Sequence, residues 1–440
     1  MREPKSHGVA ALVPPKPDYG WWILVVLLCS MLFEGLVIPV FGRTPNLSLF
    51  DILLPMIVMY LVVRNFLGDC LTGFRDRTVL YLAVAYVLAN MLSMMVNYRD
   101  VLRSFVAIKI FVFGFLTYWV LSATIRSRLT LERATVCLVV WGVVLGIMLL
   151  YRFVMDWSSV IGPEASYEAK DQISIYGWAR SNYLAAILVP ILPVATGSAV
   201  IRHGVQRLMM IVAAGVIGFG LLITMSKAAI LSLVLGAICA TPLFYKAGLT
   251  LRHVLTLLSI IVLFFLIVPT DLVATNYDMF VYRADNPDLN RIDLWTIAWK
   301  EFVRNPVLGV GPYCIYIYNR QYAIDDLYTH NFILNALADL GLVGALPFVL
   351  LLAALVRRSY KACVSTSSDL NSRWMSISLY VGLISTLIHG LVEPTFPGRE
   401  YSVVFWVCIS LIMLYDQSGV RLNQSGVPLS RVGYRPDAIP

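Results

Sequence analysis

Four side chains in the sequence have the chemistry to accept a proton or to hold a phosphate: His330, Arg180, Lys227 and Arg291. Imidazole titrates near neutral pH, which suits a general base. The planar guanidinium group of arginine donates two parallel charge-assisted hydrogen bonds, which suits a diphosphate. A lone histidine at a span end is more often an interfacial hydrogen-bonder, and each basic residue taken alone is equally typical of a side chain that extends towards lipid phosphates. Together they indicate a base beside a cationic site, provided that the fold brings them to one face.

The composition excludes a soluble protein. Hydrophobic residues make up 59% of the 440 residues, charged residues make up 14%, and the mean hydropathy is +0.77. Apolar stretches of about 20 residues, each long enough to cross a hydrocarbon core of about 30 Å, recur along the chain. The seven cysteines are scattered singly with no CxxC spacing, which argues against a metal site or a disulfide framework. We therefore predict an all-α polytopic membrane protein.

The apolar stretches predict about 12 transmembrane helices and one large outer loop that contains amphipathic helices. The predicted spans are residues 21–38, 47–63, 78–96, 101–124, 133–153, 182–200, 208–224, 227–245, 253–270, 331–356, 374–392 and 400–416.

The basic residues predict how these spans are oriented. Lys and Arg concentrate on alternate, mostly short loops, as the positive-inside rule requires of cytoplasmic loops. The net charge of +8 is therefore a topology signal rather than the sign of a nucleic-acid partner. Both termini are then cytoplasmic, and the four side chains named above all lie on the outer face. The predicted organisation is a cytoplasmic tail 1–20, spans one to nine within 21–270, a large outer loop 271–329, spans ten to twelve within 330–416, and a cytoplasmic tail 417–440.

The outer loop is too long to be a simple connector. Its residues 290–304 predict an amphipathic helix, which either roofs a cavity or only packs the loop against the membrane. The predicted apolar face holds Ile292, Trp295, Trp299 and Phe302, and the predicted polar face holds Arg291, Lys300, Glu301 and Arg304. His330 then stands at the start of the next span. His389, inside a predicted span and followed by Glu393, is a weaker candidate base.

Several of these segments, in this order, resemble the core of the bacterial O-antigen ligase and polymerase superfamily. The usual family form is an Arg with a following Trp, a P-L-L-G-x-G turn, an H-N-x-x-L motif and an E-x-G-x-x-G motif. The corresponding segments here are 291–295 (RIDLW), 305–311 (NPVLGVG), 330–334 (HNFIL) and 339–344 (DLGLVG). Arg180-Ser181-Asn182 resembles the family's arginine-asparagine element, and 224–227 (TMSK) resembles its T-x-S-R-G element.

Two departures from the family pattern matter. Lys227-Ala228 stands where Arg-Gly is usual, so the charge is kept but the bidentate geometry is lost. Asp339 stands where Glu is common, which gives the same charge a shorter reach.

The resemblance implies glycan transfer without a metal or a cofactor, on the periplasmic side of the bacterial inner membrane. The implied donor is an undecaprenyl diphosphate-linked glycan, and the implied acceptor is lipid A-core in the ligases or another lipid-linked glycan in the polymerases. His330 would accept the acceptor's proton, while Arg180, Arg291, Lys227 and Asn331 would bind the diphosphate or the glycan. Membrane lipids are the remaining expected partner, and no nucleic acid is expected.

Three alternatives stay open at this point. A polymerase of the same superfamily carries similar loop motifs, so sequence barely separates it from a ligase. About 12 spans also suit a secondary transporter, which places charged residues at mid-membrane and often has two related halves, whereas the basic residues here lie mainly at span ends. A membrane scaffold without enzymatic activity is the third alternative.

Overall fold

The computed structural model describes residues 18–32, 38–39, 46–72, 77–156, 181–248, 291–321, 328–365, 370–393 and 398–418. The predicted ninth span, much of the predicted outer loop, both tails and Arg180 lie outside this part of the chain.

The described residues are almost entirely helical. The helices are α1 Gly20–Leu32, α2 Leu49–Thr72, α3 Arg77–Asn97, α4 Val101–Thr124, α5 Arg128–Asp156, α6 Ser181–Ile201, α7 Gly204–Ile223, α8 Lys227–Lys246, α9 Arg291–Arg304, α10 Ile315–Gln321, α11 Phe332–Ser365, α12 Leu370–Gly390 and α13 Arg399–Ser418. Between α1 and α2, two short strands, β1 Ile38–Pro39 and β2 Asn46–Leu47, pair antiparallel with Ile38 opposite Leu47.

Seven of these helices are long and apolar enough to cross a membrane: α3, α4, α5, α6, α7, α8 and α11. In the described region, α1 and the first part of α2 are shorter apolar helices. Large apolar side chains such as Met59, Met95, Val154 and Val205 are exposed on the helix surfaces, as expected where lipid replaces water. The structure thus confirms the helical fold of the described residues, and its seven long apolar helices are consistent with a polytopic membrane protein. The count of about 12 spans and the side that the loop faces stay predictions.

The bundle is held together by helices that are distant in sequence. α12 packs against α6 and α8, α3 packs against α11, and α13 packs against α4. The interior is apolar and rich in large side chains, including fully buried Trp374, Trp406 and Phe405. This packing brings the connections between helices together at the two ends of the bundle, and one of those ends holds the candidate residues.

Candidate functional site

One end of the bundle gathers the ends of several helices, and we call it the site end. α6 begins there beside the end of α12, and α9 and α11 begin there with Arg291 and, just before Phe332, His330. α8 runs antiparallel to α12, because Gly236 lies against Ser385 while Phe244 lies 5.5 Å from Trp374 between ring centroids. Lys227, at the start of α8, is therefore placed at the site end as well.

Glu393 is the residue that joins the candidate side chains. Its Oε1 accepts hydrogen bonds from Arg291 Nη2 at 2.5 Å and from Asn182 Nδ2 at 3.1 Å. Its Oε2 lies 3.3 Å from His330 Nδ1. We call these four residues the Glu393 group. The predicted base and one predicted phosphate-binding arginine thus contact opposite oxygens of one carboxylate.

The carboxyl of Glu393 is buried, with 3% of the residue exposed. Burial alone would raise its pKa, but the hydrogen bond with His330 and the charge of Arg291 outweigh burial and hold the pKa of Glu393 below its ordinary value. The carboxylate is therefore ionised at neutral pH. Behind it, fully buried His389 has no hydrogen-bond partner on either ring nitrogen among the described residues.

The backbone around His330 explains how its ring is presented. His330 has φ of 53°, in the left-handed region that is uncommon for residues other than glycine. Asn331 then caps α11, since its Oδ1 accepts from the backbone N–H groups of Ile333 and Leu334, both at 3.0 Å. The Asn331 side chain thus has a structural role at the helix start. Its predicted part in substrate binding stays a prediction.

Other strained residues lie at the same end. Besides His330, the non-glycine residues with positive φ in the described part of the chain are Tyr98, Met225 and Tyr313. Each stands in a connection at the site end: between α3 and α4, between α7 and α8, and in the turn before α10. Strained backbone of this kind concentrates at functional sites, where the surrounding structure holds it in place.

The 305–311 turn and a break in α11 fix each other. The break is at Gly341, which has φ of 59°. Backbone N–H groups of Val310 and Leu342 donate across the contact to Ala338 and Pro306 carbonyls at 2.9 and 2.8 Å. A Cβ atom on Gly309 would lie 2.3 Å from the Asp339 backbone. The two glycine motifs therefore hold a backbone-to-backbone contact, which anchors the turn to the same helix that begins after His330.

Asp339 supports this arrangement from inside α11. Its Oδ1 accepts from the backbone N–H groups of Cys314 at 3.2 Å and Ile315 at 3.0 Å, which caps the start of α10. Its Oδ2 accepts from Asn335 Nδ2 at 2.6 Å. The departure from Glu to Asp is thus compatible with a carboxylate that orders the turn.

A cavity beside His330 is lined by that residue but not by Glu393, and it is partly open to the outside. Most of its wall is apolar or aromatic, with a few amide, hydroxyl and carboxyl groups. The residues that line it are Tyr86, Asn90, Ala107, Phe111, Pro312, Tyr313, Tyr328, His330, Asn331, Phe332, Asn335, Ala336, Asp339, Leu340, Phe348 and Ser402.

Tyr313 is a hydrogen-bonding group of this cavity that remains protonated. Burial raises the pKa of Tyr313 well above its usual value, and the neighbouring Tyr328, Tyr86 and Asp339 add to that shift. The two rings of Tyr313 and Tyr328 meet edge to face with centroids 5.8 Å apart. The cavity therefore offers neutral donors and acceptors together with aromatic faces beside His330.

The helix predicted over 290–304 is confirmed as α9. The residues buried against α11 and the turn are Leu294, Ile297, Ala298 and Glu301, whereas Ile292 and Trp299 are exposed. Leu294, Ile297, Ala298 and Glu301 also recur at helical spacing, and the small Ala298 allows close packing on Ala338. Glu301, predicted on the polar face, is buried and accepts from Arg304 Nη1 at 2.6 Å.

A second set of buried charges lies at the same end, and we call it the Asp51 group. Asp51 Oδ2 is 3.1 Å from Lys109 Nζ and 3.7 Å from Arg399 Nη1. Arg399 also pairs with Glu400, which accepts from the Tyr183 hydroxyl at 2.7 Å. Since Asn182 belongs to the Glu393 group and Tyr183 to this one, consecutive residues of α6 support both carboxylate groups.

Three of the five predicted site residues thus lie close together. The positions of the other two, Lys227 and Arg180, are described less completely. His330 and Arg291 contact Glu393, and His330 and Asn331 line the cavity. Lys227 lies at the site end by the register of its helix. Arg180 directly precedes α6, outside the described residues. Glu393 and Asn182 were given no role from sequence, although an ionisable residue at the end of a predicted span is a recognisable signal.

Residues 209–349 match the family model described as O-antigen ligase. The matched range contains Lys227, Arg291, His330 and Asn331, while Asn182 and Glu393 lie outside it. The match confirms, over this segment, the resemblance seen in the motifs. No curated protein matches the chain.

Proposed function

We propose, from this family match and from the Glu393 group, that the chain is a membrane glycosyltransferase of the O-antigen ligase type. It would move a glycan from undecaprenyl diphosphate to a hydroxyl of lipid A-core on the periplasmic face of the inner membrane. The observation that carries this proposal is the position of His330, between a buried carboxylate and a cavity, with Arg291 on the same carboxylate.

The proposed reaction needs one proton acceptor and a group that offsets charge on the diphosphate. The acceptor hydroxyl gives its proton to His330, and its oxygen forms a bond with the anomeric carbon of the glycan. The bond between that carbon and the diphosphate oxygen breaks, and undecaprenyl diphosphate leaves with the electron pair. Arginine and lysine side chains stabilise the negative charge that develops on the leaving group.

Arg291 is suited to this role although it already contacts Glu393. Its side chain is 38% exposed, and a guanidinium has five N–H donors, of which the carboxylate receives one. The other N–H groups of the guanidinium are available at the surface of the site end, where a lipid diphosphate at the outer leaflet would lie. Arg180 and Lys227 would add positive charge from the starts of α6 and α8.

A transfer assay with purified protein in detergent tests the proposal. The reaction contains EDTA and an undecaprenyl diphosphate-linked glycan, with and without lipid A-core. Glycan on lipid A-core is the expected result, and it would establish metal independence at the same time. Longer lipid-linked chains without lipid A-core would identify a polymerase instead. No product from the native donor in either reaction would contradict the proposal and favour a transporter.

A further inference from the structure

We propose that Glu393 is a positioning residue for the transfer reaction: it holds the His330 ring with Nε2 directed to the acceptor and fixes Arg291 at a set distance from that ring. This inference rests on the proposed function, and it assigns a role to a residue outside the segment that matches the family. The role requires no contact between Glu393 and either substrate.

The contact with His330 selects one form of the imidazole. An ionised carboxylate can only accept hydrogen bonds, so Nδ1 of His330 donates to Oε2 of Glu393. In the neutral ring, Nε2 then has the lone pair that a general base needs. The 3.3 Å separation is longer than a typical hydrogen bond of about 2.9 Å, as is common before the substrate is bound.

The contact with Arg291 links the proposed proton acceptor, His330, to the cation that would stabilise the leaving diphosphate. Glu393 follows α12, whereas His330 precedes α11 and Arg291 begins α9. One buried carboxylate therefore links three separate elements, and Asn182 of α6 donates to it from a fourth. Because Arg291 and His330 occupy different oxygens, they do not compete, and the carboxylate sets the spacing between the base and the cation.

Other titratable groups surround this contact and define what a pH experiment measures. Arg291 faces Glu393 from α9, and His389 lies behind it on α12, where a charged ring would be costly at 0% exposure. Asp339, Tyr313 and Tyr328 line the cavity that His330 also lines. Glu393 contacts the His330 ring directly through Oε2, so the replacement of its charge should act on the ring directly.

The test compares the pH dependence of glycan transfer in four proteins: wild type, Glu393→Gln, Glu393→Asp and Glu400→Gln. The Gln side chain still accepts from Nδ1 but has no charge, and a nearby negative charge favours protonated imidazole. In Glu393→Gln we expect the acidic limb of the kcat profile to move about one unit to lower pH, with kcat about tenfold lower. Glu393→Asp keeps the charge and should keep the wild-type limb.

Glu400→Gln is the matched control, since Glu400 is also a buried carboxylate paired with an arginine at the site end. The acidic limb of the kcat profile of Glu400→Gln should stay at the wild-type pH. Diethyl pyrocarbonate modification of His330, followed by peptide mass spectrometry across pH, gives a second measurement that needs no activity. Its half-maximum should move to lower pH in Glu393→Gln and stay in place in Glu400→Gln.

The outcomes separate this inference from the proposed function. Loss of transfer in His330→Ala, with wild-type kcat and pH profile in Glu393→Gln, would overturn the role of Glu393 alone. Transfer at the wild-type rate in His330→Ala would overturn the assignment of the base. A limb displaced equally in Glu393→Gln and Glu400→Gln would reduce the effect to general loss of buried charge and would also overturn the proposal.

Discussion

The Glu393 group and the Asp51 group are both buried carboxylates paired with arginines at one end of the bundle, and they differ in what surrounds them. In the Asp51 group, the side chains of Asp51, Lys109 and Arg399 are 1%, 15% and 11% exposed. In the Glu393 group, Glu393 is 4% exposed, but Arg291 and His330 are 38% and 20% exposed.

This difference separates charges that hold the fold from charges that can meet a substrate. The members of the Asp51 group contact one another and are enclosed, so their interaction can contribute only to folding and to the position of helices. The Glu393 group has the same buried centre, but its cation reaches the surface and its imidazole lines a cavity. Burial of a charged group is therefore poor evidence of function unless one partner remains accessible.

The largest expected effect comes from breaking the enclosed group. Asp51→Asn removes the carboxylate that pairs with Lys109, while Arg399 keeps its pair with Glu400, and we expect the free energy of unfolding to fall by about 3 kcal/mol. Transfer per folded molecule should stay near that of the wild type. Thermal unfolding in detergent and the transfer assay measure the two effects.

Glu132→Gln serves as the control for Asp51→Asn, because Glu132 forms an exposed pair with Arg128 at 2.9 Å. Its cost should be below about 1 kcal/mol. If Asp51→Asn instead left stability intact and lowered transfer, the Asp51 group would belong to the site and the comparison would fail.

A smaller effect, on activity rather than stability, is expected from Arg291→Lys. Lysine keeps the charge but loses the planar fork, so transfer should fall about tenfold, the equivalent of roughly one charge-assisted hydrogen bond. The unfolding midpoint should change little, since Arg291 is partly exposed. Arg304→Lys, on the same helix and paired with Glu301, is the control that should transfer normally. Wild-type transfer by Arg291→Lys would remove Arg291 from diphosphate binding.

The smallest effect separates the two roles of Asn331. Asn331→Ala removes the cap of α11 and should cost about 1 kcal/mol of stability. Asn331→Asp keeps a capping oxygen but replaces an amide donor at the cavity with a negative charge. It should retain the wild-type unfolding midpoint while transfer falls several-fold. Unchanged transfer in Asn331→Asp would leave Asn331 with its structural role alone.

Much of the fold was predictable because hydropathy and helix length are local properties. The long apolar helices overlap predicted spans, although α11 continues to Ser365, past the predicted end at 356, and α9 was predicted from its periodicity. The face of α9 that packs against α11, with Leu294, Ile297 and Ala298, was not predicted, because tertiary contacts determine it. The break in α11 at Gly341 was also missed, since the 305–311 turn that stabilises it is remote in sequence.

The site was predictable where a motif carries it and not where contacts are long-range. His330, Arg291 and Asn331 lie in short motifs, and the fold brings them together. Glu393 is 63 residues from His330 and 102 from Arg291, so no spacing rule connects them. Glu393, Asp51 and Lys109 nevertheless carry a signal in the sequence: each is an ionisable residue within or at the end of an apolar span, where a charge requires a partner.

The most direct test of the account is the rate of glycan transfer by the His330→Ala protein. It is measured with an undecaprenyl diphosphate-linked donor and lipid A-core, beside the wild type and His203→Ala, which changes an exposed histidine at the opposite end of the bundle. All three proteins should insert and unfold alike. We expect His330→Ala to transfer more slowly by a factor of about 10² to 10⁴ and His203→Ala to match the wild type. Near wild-type transfer by His330→Ala would contradict the account.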